Sequence, residues 1–469
     1  MDNLKAVAKV APVHSSQVAF SKCGIGFEKL DRAVFDPSKA YDKVAATGVK
    51  WIRLQSGWAR TEKQKGVYDF SWLDDIIDNL VTRGLKPWLC LCYGNGIYDE
   101  DAAKVFGAVG CPPIKTDEQV NAWHDYVVAL VKRYHGRCQW YEIWNEPDGK
   151  WCWKHGVNPT EYGNFCIATA KAVKEADPDA KIIIGSQCHI NNMEWTMEVF
   201  ETGAASYADA FTFHAYSAHE EFNFPSVRAL RALAKSYNPN IQIIQGETGT
   251  QSRSDGAGAL RGGAWTPLKQ AKFLARHFMT DFMCDVMFAS YFSCMDMIEA
   301  LNGTVGDKSS YLDYGYFGVL GADFDENGVA TGEYTPKLSY YALQTVASLF
   351  REEFSLADLP IQSFVVDSNR VLRKDDLFTG DVFSQGFRKP NGSSAFVYWK
   401  STELLTTSYE STISLEIATL PQKMELIDLV DGTVYEIPEK QIERHGKFVK
   451  LLNIPLRDYP LLLAFGDFR

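Results

Sequence analysis

Two short segments of this chain carry side chains able to make and break a covalent bond at a saturated carbon. In the first, an apolar run from Trp140 to Trp144 leads directly into Asn145-Glu146-Pro147. Pro147 ends any strand before it, because it has no amide to offer a ladder. The second lies about a hundred residues further on, where Ile241-Gln242-Ile243-Ile244 runs into Gln245-Gly246-Glu247. A carboxylic acid can hand its proton to a departing oxygen while an ionised carboxylate attacks the carbon left behind. Two carboxylates at the ends of two parallel strands supply both halves of that operation, which is what breaking a glycosidic bond requires.

Such a pair is useful only if both strand ends open on the same face. From about residue 20 to 350 the chain repeats one unit of short apolar strand, loop, amphipathic helix, and Gly or Pro. The strands are expected at Cys23–Phe27, Lys50–Gln55, Pro87–Cys92, Cys138–Trp144, Lys181–Gly185, Ala210–Ala215, Ile241–Gln245 and Val286–Ser293. Between them the apolar period becomes helical. Trp72, Leu73, Ile76, Ile77, Leu80 and Val81 form one face, with Ser71 as expected N-cap and Gly84 just past the end. A second helix starts after Thr116, buries Val120, Trp123, Val127, Leu130, Val131 and Tyr134, and stops at Gly136; Pro267 opens another that reaches about Phe282. Near-continuous apolar strands alternating with helices predict a parallel sheet covered on both faces, and eight is the number that closes into a (β/α)8 TIM barrel. An open doubly wound sheet would need a glycine-rich phosphate loop after its first strand, and Cys23-Gly24-Ile25-Gly26-Phe27 lacks the third glycine.

Past residue 350 the period becomes two. Ala395–Trp399, Thr412–Ile417, Lys423–Ile427 and Leu461–Phe465 read as short strands, with Asn391-Gly392 and Asp431-Gly432 as hairpin turns. The α/β chain is therefore divided into an N-terminal segment (1–22), a catalytic barrel (23–350) and an antiparallel β-sandwich (351–469). A strand at Gln17–Phe20 is expected to carry the N-terminal segment into the sandwich.

A net charge of −11 disfavours nucleic acid or an anionic membrane surface as partner. No run of eighteen apolar residues offers a membrane span. The cysteines lack Cys-x-x-Cys spacing; Cys90 and Cys92 are read as facing opposite sides of a strand, and Cys138, Cys166, Cys284 and Cys294 as reduced core thiols. With no signal-peptide core in the first twenty residues, a cytoplasmic location is expected. Metal-ligand spacings and nucleotide fingerprints are absent from the pattern, so no metal and no cofactor is expected. Nothing in the sequence addresses oligomeric state.

The run Trp140-Tyr141-Glu142-Ile143-Trp144-Asn145-Glu146-Pro147-Asp148, followed by Gly246-Glu247-Thr248-Gly249, resembles clan A of the retaining glycoside hydrolases. It is most similar to family 39, the β-xylosidase and iduronidase family. The seventh-strand motif departs from that family's usual Thr-Glu-aromatic. The resemblance implies that Glu146 is the general acid/base and Glu247 the nucleophile, and that Arg53, ending the second strand, keeps Glu247 ionised. It further implies that Asn145 holds the sugar 2-hydroxyl, and that of His214 and Tyr216, closing the sixth strand on one side, His214 orients Glu247 or a substrate hydroxyl and Tyr216 donates to Glu247. Where the clan often places a Trp beneath the sugar, this chain offers Tyr291 or Phe292. Glu142, deep in its strand, reads as an ion-pair partner, either inside the barrel or between strand and helix.

Other strand ends supply expected substrate contacts: Trp58 after the second, Tyr93 and Asn95 after the third, Trp151 and Trp153 beyond the fourth. Long loops at 94–116, 148–160 and 248–267 are expected to wall a pocket. The expected activity is that of an exo-acting retaining β-glycosidase on β-linked oligosaccharides or glycosides. The alternatives are an endo-acting glucanase or mannanase, and a non-catalytic sugar-binding barrel.

Overall fold

The computed structural model describes residues 1, 4–366, 382–420 and 423–469. A first strand, β1 (Lys5–Lys9), precedes eight parallel strands that close a barrel in chain order: β2 (Cys23–Gly26), β3 (Trp51–Gln55), β4 (Lys86–Leu91), β5 (Trp140–Ile143), β6 (Lys181–Gln187), β7 (Ala210–His214), β8 (Gln242–Thr248) and β9 (Ala289–Tyr291). Helices such as Ser71–Thr82, Asp117–Tyr134, Pro159–Ala176 and Pro267–Met283 return the chain between strands. Their ends follow side-chain chemistry. Thr116, Asn158 and Thr266 each accept the amide hydrogen of the residue three further on, satisfying one of the donors a helix start leaves free. At Ser71 the expected cap is displaced by one residue: Phe70 is the cap position, and Asp69 accepts the Ser71 amide instead.

Inside the barrel, alternate residues of each strand point inward. The lower layer is apolar: Trp51, Trp88, Ile183, Ala210, Ile244 and Phe288 form their own cluster, with Trp51 stacked on Phe288 at 4.3 Å. One pleat higher the interior turns ionic, with Arg53 two residues above Trp51 and Glu142 two above Trp140. Higher still stand the strand ends carrying the sequence-predicted carboxylates. The ladder is irregular at this level: register shifts fall between Gly185 and Gln187 on β6, at Phe213/His214 on β7, and between Gln245 and Thr248 on β8. Bulges of this kind re-aim side chains at a barrel rim.

The rest is antiparallel. Seven strands pair in the order Lys5–Lys9, Thr433–Glu436, Met424–Asp428, Leu461–Phe465, Ser394–Lys400, Val382–Arg388, Ser355–Ala357. Four more pair as Ile361–Val366, Glu410–Ala418, Phe448–Arg457, Ile442–His445. The N-terminal segment does join this sandwich, but through Lys5–Lys9; Ser15–Gln17 is a short 3-10 turn that packs on the barrel, with Ser15 Oγ donating to Ala45 and Val49 carbonyls. One sandwich face merges with the barrel's helical shell: Val397, Trp399, Leu462 and Phe468 belong to the same apolar core as Phe282 and Phe350. Among the described residues no helix is long and apolar enough to cross a membrane.

All ten cysteines are free, and only Cys188 is partly exposed. Cys90 and Cys92 do not face opposite ways. Their sulfurs lie 3.6 Å apart, because residues two apart on an extended chain share a side.

Candidate active site

Glu146 and Glu247 meet at the C-terminal rim of the barrel, on the wall of one cavity of about 390 Å³. One oxygen of each lies within 4.8 Å of the other and of a nitrogen of His214. Pro147 ends β5, and the chain turns sharply, with Trp144 and Glu146 at φ of 68° and 45°. Left-handed backbone costs a non-glycine residue roughly 1–2 kcal/mol, and here it turns the acid into the cavity. The turn is clamped from β6: Asp148 accepts the Cys188 and His189 amides at 2.9 and 2.8 Å and the His189 ring at 3.1 Å.

Glu247 is surrounded by donors. Arg53 Nη1 reaches its Oε2 at 2.6 Å and the Tyr216 hydroxyl donates to Oε1 at 2.6 Å. Burial alone would push this carboxyl up, but the charges of His214 and Arg53 and the Tyr216 hydrogen bond outweigh it, holding Glu247 below the ordinary carboxylate range. Arg53 is itself fully buried and held by a two-point contact to Glu142 at 2.8 and 3.1 Å, with Nη2 also donating to Asn145 Oδ1 at 2.9 Å. Glu142 is thus the buried ion-pair partner its depth in the strand predicts.

Glu146 has different company. His214 Nδ1 is 3.0 Å from its Oε1 and 3.7 Å from Glu247 Oε2, while His214 Nε2 is fixed 3.1 Å from Ser186 Oγ. Burial lowers the affinity of this ring for a proton, but Glu247 and the hydrogen bond to Glu146 overcome that and raise its pKa. The Trp151 indole N–H donates to the other oxygen, Oε2. His214 therefore sits against the acid rather than orienting Glu247 alone. The sequence hides the reason, which is the register shift that brings His214 opposite Glu247.

The remaining sequence-predicted contacts divide. Tyr93 and Trp151 line the cavity, as does Asn145, whose amide is shared between Arg53 and Cys152. Trp58 does not: it is fully buried, stacked near Tyr98 and Tyr126, and its indole N–H donates to Glu62. Trp153 and Asn95 are likewise buried beneath loops. Of the eighth-strand pair, Phe292 lines the cavity and Tyr291 points away, its hydroxyl against the Thr250 carbonyl. The 94–116 loop contributes nothing to the cavity lining. Its place is taken by the segment after β9, which supplies Glu299, Leu301, Asn302 and Phe317. Sequence reasoning also missed Glu28 and Lys29 beyond β2 and Cys188 and His189 beyond β6, although all four obey the strand-end rule that located Glu146.

Two groups have donor atoms close enough together for a cation: Glu146/His214/Glu247 and Asp148/Cys188/His189. In the first, the Arg53 guanidinium already occupies the approach to Glu247. In the second, Asp148 is saturated by the loop amides described above.

A family model described as "Glycosyl hydrolases family 39" matches residues 38–242. A family 39 glycoside hydrolase from the gut symbiont Bacteroides cellulosilyticus WH2 superposes with a TM-score of 0.68 at 17% identity, over 97% of this chain and 83% of that one. A monomeric beta-xylosidase from Caulobacter crescentus CB15 gives a TM-score of 0.59 at 17% identity, over 98% and 97%. Among curated proteins, "Beta-galactosidase BgaH" of Haloferax lucentense is 33% identical over 49 residues, a match spanning 10% of this chain and 7% of that protein. The closed barrel, the carboxylates paired at its rim and the family match over residues 38–242 give this chain a glycoside hydrolase fold of the clan A type. Its fold is that of family 39.

Proposed function

We propose that this protein is a retaining β-glycosidase that releases sugar from the end of β-linked glycosides, xylosides among them, with Glu247 as nucleophile and Glu146 as acid/base. The single observation carrying this reading is the closeness of the two carboxyl groups. An oxygen of each within 4.8 Å of the other supports the narrow spacing of retaining enzymes, about 5–5.5 Å between carboxyls, over the wider gap that inverting enzymes keep for a water.

In the first step Glu247 attacks the anomeric carbon, the bond to the aglycone oxygen breaks, and the Glu146 proton passes to that oxygen. In the second, water attacks the same carbon, Glu146 takes its proton, and the Glu247 ester bond breaks, returning the carboxylate. Arg53 and Tyr216 keep Glu247 anionic before attack and receive its charge again when it leaves. Asn145, hydrogen bonded to Arg53, stands where a 2-hydroxyl would lie beside the nucleophile. Trp151 and His189 form a tilted ring pair at the acid's side, 5.8 Å between ring centres, and offer a surface for the aglycone. Walls from 258–261 and 299–317 favour a pocket for chain ends over an open cleft.

The test is a panel of aryl β-glycosides followed by proton NMR. First-formed β-sugar from a β-substrate is expected. First-formed α-sugar overturns the retaining mechanism, and mixed oligomers from a long β-chain overturn exo-action.

A further inference from the structure

Two carboxyls in the cavity, Glu28 and Glu299, have no task in the steps above, and Glu299 is paired with Lys29 at 3.7 Å. Glu28 stands two residues beyond β2 and is 1% exposed, yet it lines the cavity. Neither of its oxygens has a hydrogen-bond partner among the described residues. Its nearest charge is Arg53 Nη1, 3.6 Å from Oε1, the same nitrogen that holds Glu247. The fold makes room for this group: a Cβ on Gly26 would stand 2.0 Å from Glu28 Oε2. A buried carboxyl without hydrogen bonds costs a protein stability, by about 1–3 kcal/mol for a neutral group, and persists where something else uses it.

We propose that Glu28 is a specificity-determining residue that binds the glycone, taking hydrogen bonds from and giving one to ring hydroxyls of the sugar whose anomeric carbon lies against Glu247. The proposal rests on the glycosidase reading above for the ring's orientation. Acid, Trp151 and His189 occupy the leaving-group side. Glu28 follows β2, which stands opposite β6 in the closed ring of eight strands, and Arg53 Nη1 is near both Glu28, at 3.6 Å, and Glu247, at 2.6 Å. Burial, opposed by Arg53 and reinforced by Glu247, pushes its carboxyl up to about 8, so at neutral pH it keeps a proton to donate. Lys29 and Cys294 are the other titratable groups facing it. Lys29 is turned away, donating to the Ile298 carbonyl at 2.8 Å, so Glu28 is left free for substrate.

The experiment compares wild type, Glu28→Ala and Glu28→Gln on an aryl β-xyloside and on its monodeoxy analogues. For wild type, removing one particular ring hydroxyl is expected to lower kcat/KM about 100-fold. Glu28→Ala should lose about as much on the parent and then be indifferent to that hydroxyl. Glu28→Gln, which keeps a donor and an acceptor, should stay within about tenfold of wild type and lack the rise in KM expected of wild type above pH 8. Because the folded-state pKa lies above the unfolded one, the ionisation-linked cost of Glu28 is absent at pH 4 and grows progressively toward pH 8. The Tm of Glu28→Gln should therefore exceed wild type, and by more at the higher pH. Equal losses for Glu28→Ala on every analogue with a lowered Tm, or no loss at all, would overturn the assignment. If wild type turns over no aryl glycoside, the glycosidase reading fails by itself. Calorimetric binding of a xylo-configured iminosugar then decides Glu28: weakening by Glu28→Ala supports it and unchanged affinity sinks it.

Discussion

Glu146 and Glu247 are the same chemical group under opposite surroundings, and single substitutions should separate them. Glu247→Gly is expected to abolish all but about a thousandth of turnover on aryl glycosides, with azide restoring part of it by attacking from the vacated side. The product, an α-glycosyl azide, is identified by NMR; a β-azide would assign the nucleophile elsewhere. Glu146→Ala should barely lower kcat/KM on substrates with good leaving groups, although kcat falls with the loss of the base, and should lower it by two to three powers of ten, roughly, on poor ones, read as a steepened dependence on leaving-group acidity. The pH profile reports the environment of Glu247. Its carboxyl is held below the ordinary range, so the acid limb of kcat/KM belongs below that range. Tyr216→Phe removes a donor that favours the ionised form and should move that limb toward higher pH, with the alkaline limb unmoved.

At the scale of elements, the site depends on how strands end. β5 stops at a proline, β7 and β8 slip register, and the turn at Glu146 is tied to β6 through Asp148. Asp148→Ala removes the acceptor for two amides and an imidazole that sit against the aglycone platform. It is expected to lower kcat/KM about tenfold or more on poor leaving groups, through misplacement of Glu146 and Trp151, while Glu247 remains reactive toward activated substrates. Away from the rim, helix ends contribute only stability. Thr116→Ala removes the acceptor for the Gln119 amide and should cost about 1 kcal/mol in urea unfolding, with kinetics unchanged.

At the scale of the whole molecule, barrel and sandwich share a core, and a buried charge pair sits in the seam. Arg276, on the helix Pro267–Met283, forms a two-point contact with Glu221 at 3.0 and 2.7 Å and donates to the Thr402 carbonyl at 2.8 Å; Trp399 of the sandwich donates to the same glutamate. Arg276 strongly favours the charged form of Glu221 despite its burial. Arg276→Ala removes the guanidinium from that buried carboxylate, leaving it the Trp399 indole and the His219 ring at 3.1 Å, and a loss of about 3–5 kcal/mol is expected, measured by thermal or urea unfolding. The Glu247–Arg53 pairing lies on the far side of the helical shell, so the surviving folded fraction should keep its pH profile.

The eight strands, the change to period two after residue 350 and the two carboxylates were legible in the linear pattern, because apolar periodicity and turn residues report local geometry directly. Glu142 as an ion-pair partner followed from its depth in a strand, and Tyr216 as a donor to Glu247 from the family resemblance at the end of the sixth strand. What tertiary structure decided were contacts made across the barrel and between distant loops. His214 leans on Glu146 because a register slip sets its height. Phe292 rather than Tyr291 faces the cavity, and the wall assigned to 94–116 is built by residues after the eighth strand. Trp58 disappears beneath its neighbours, since an aromatic at a strand end packs or binds according to what lies above it. Lys5–Lys9, not Gln17–Phe20, reaches the sandwich, since an edge strand pairs where a partner edge is exposed. Local sequence determined which groups exist and which way each strand alternates; only closure of the barrel determined which of them share a cavity.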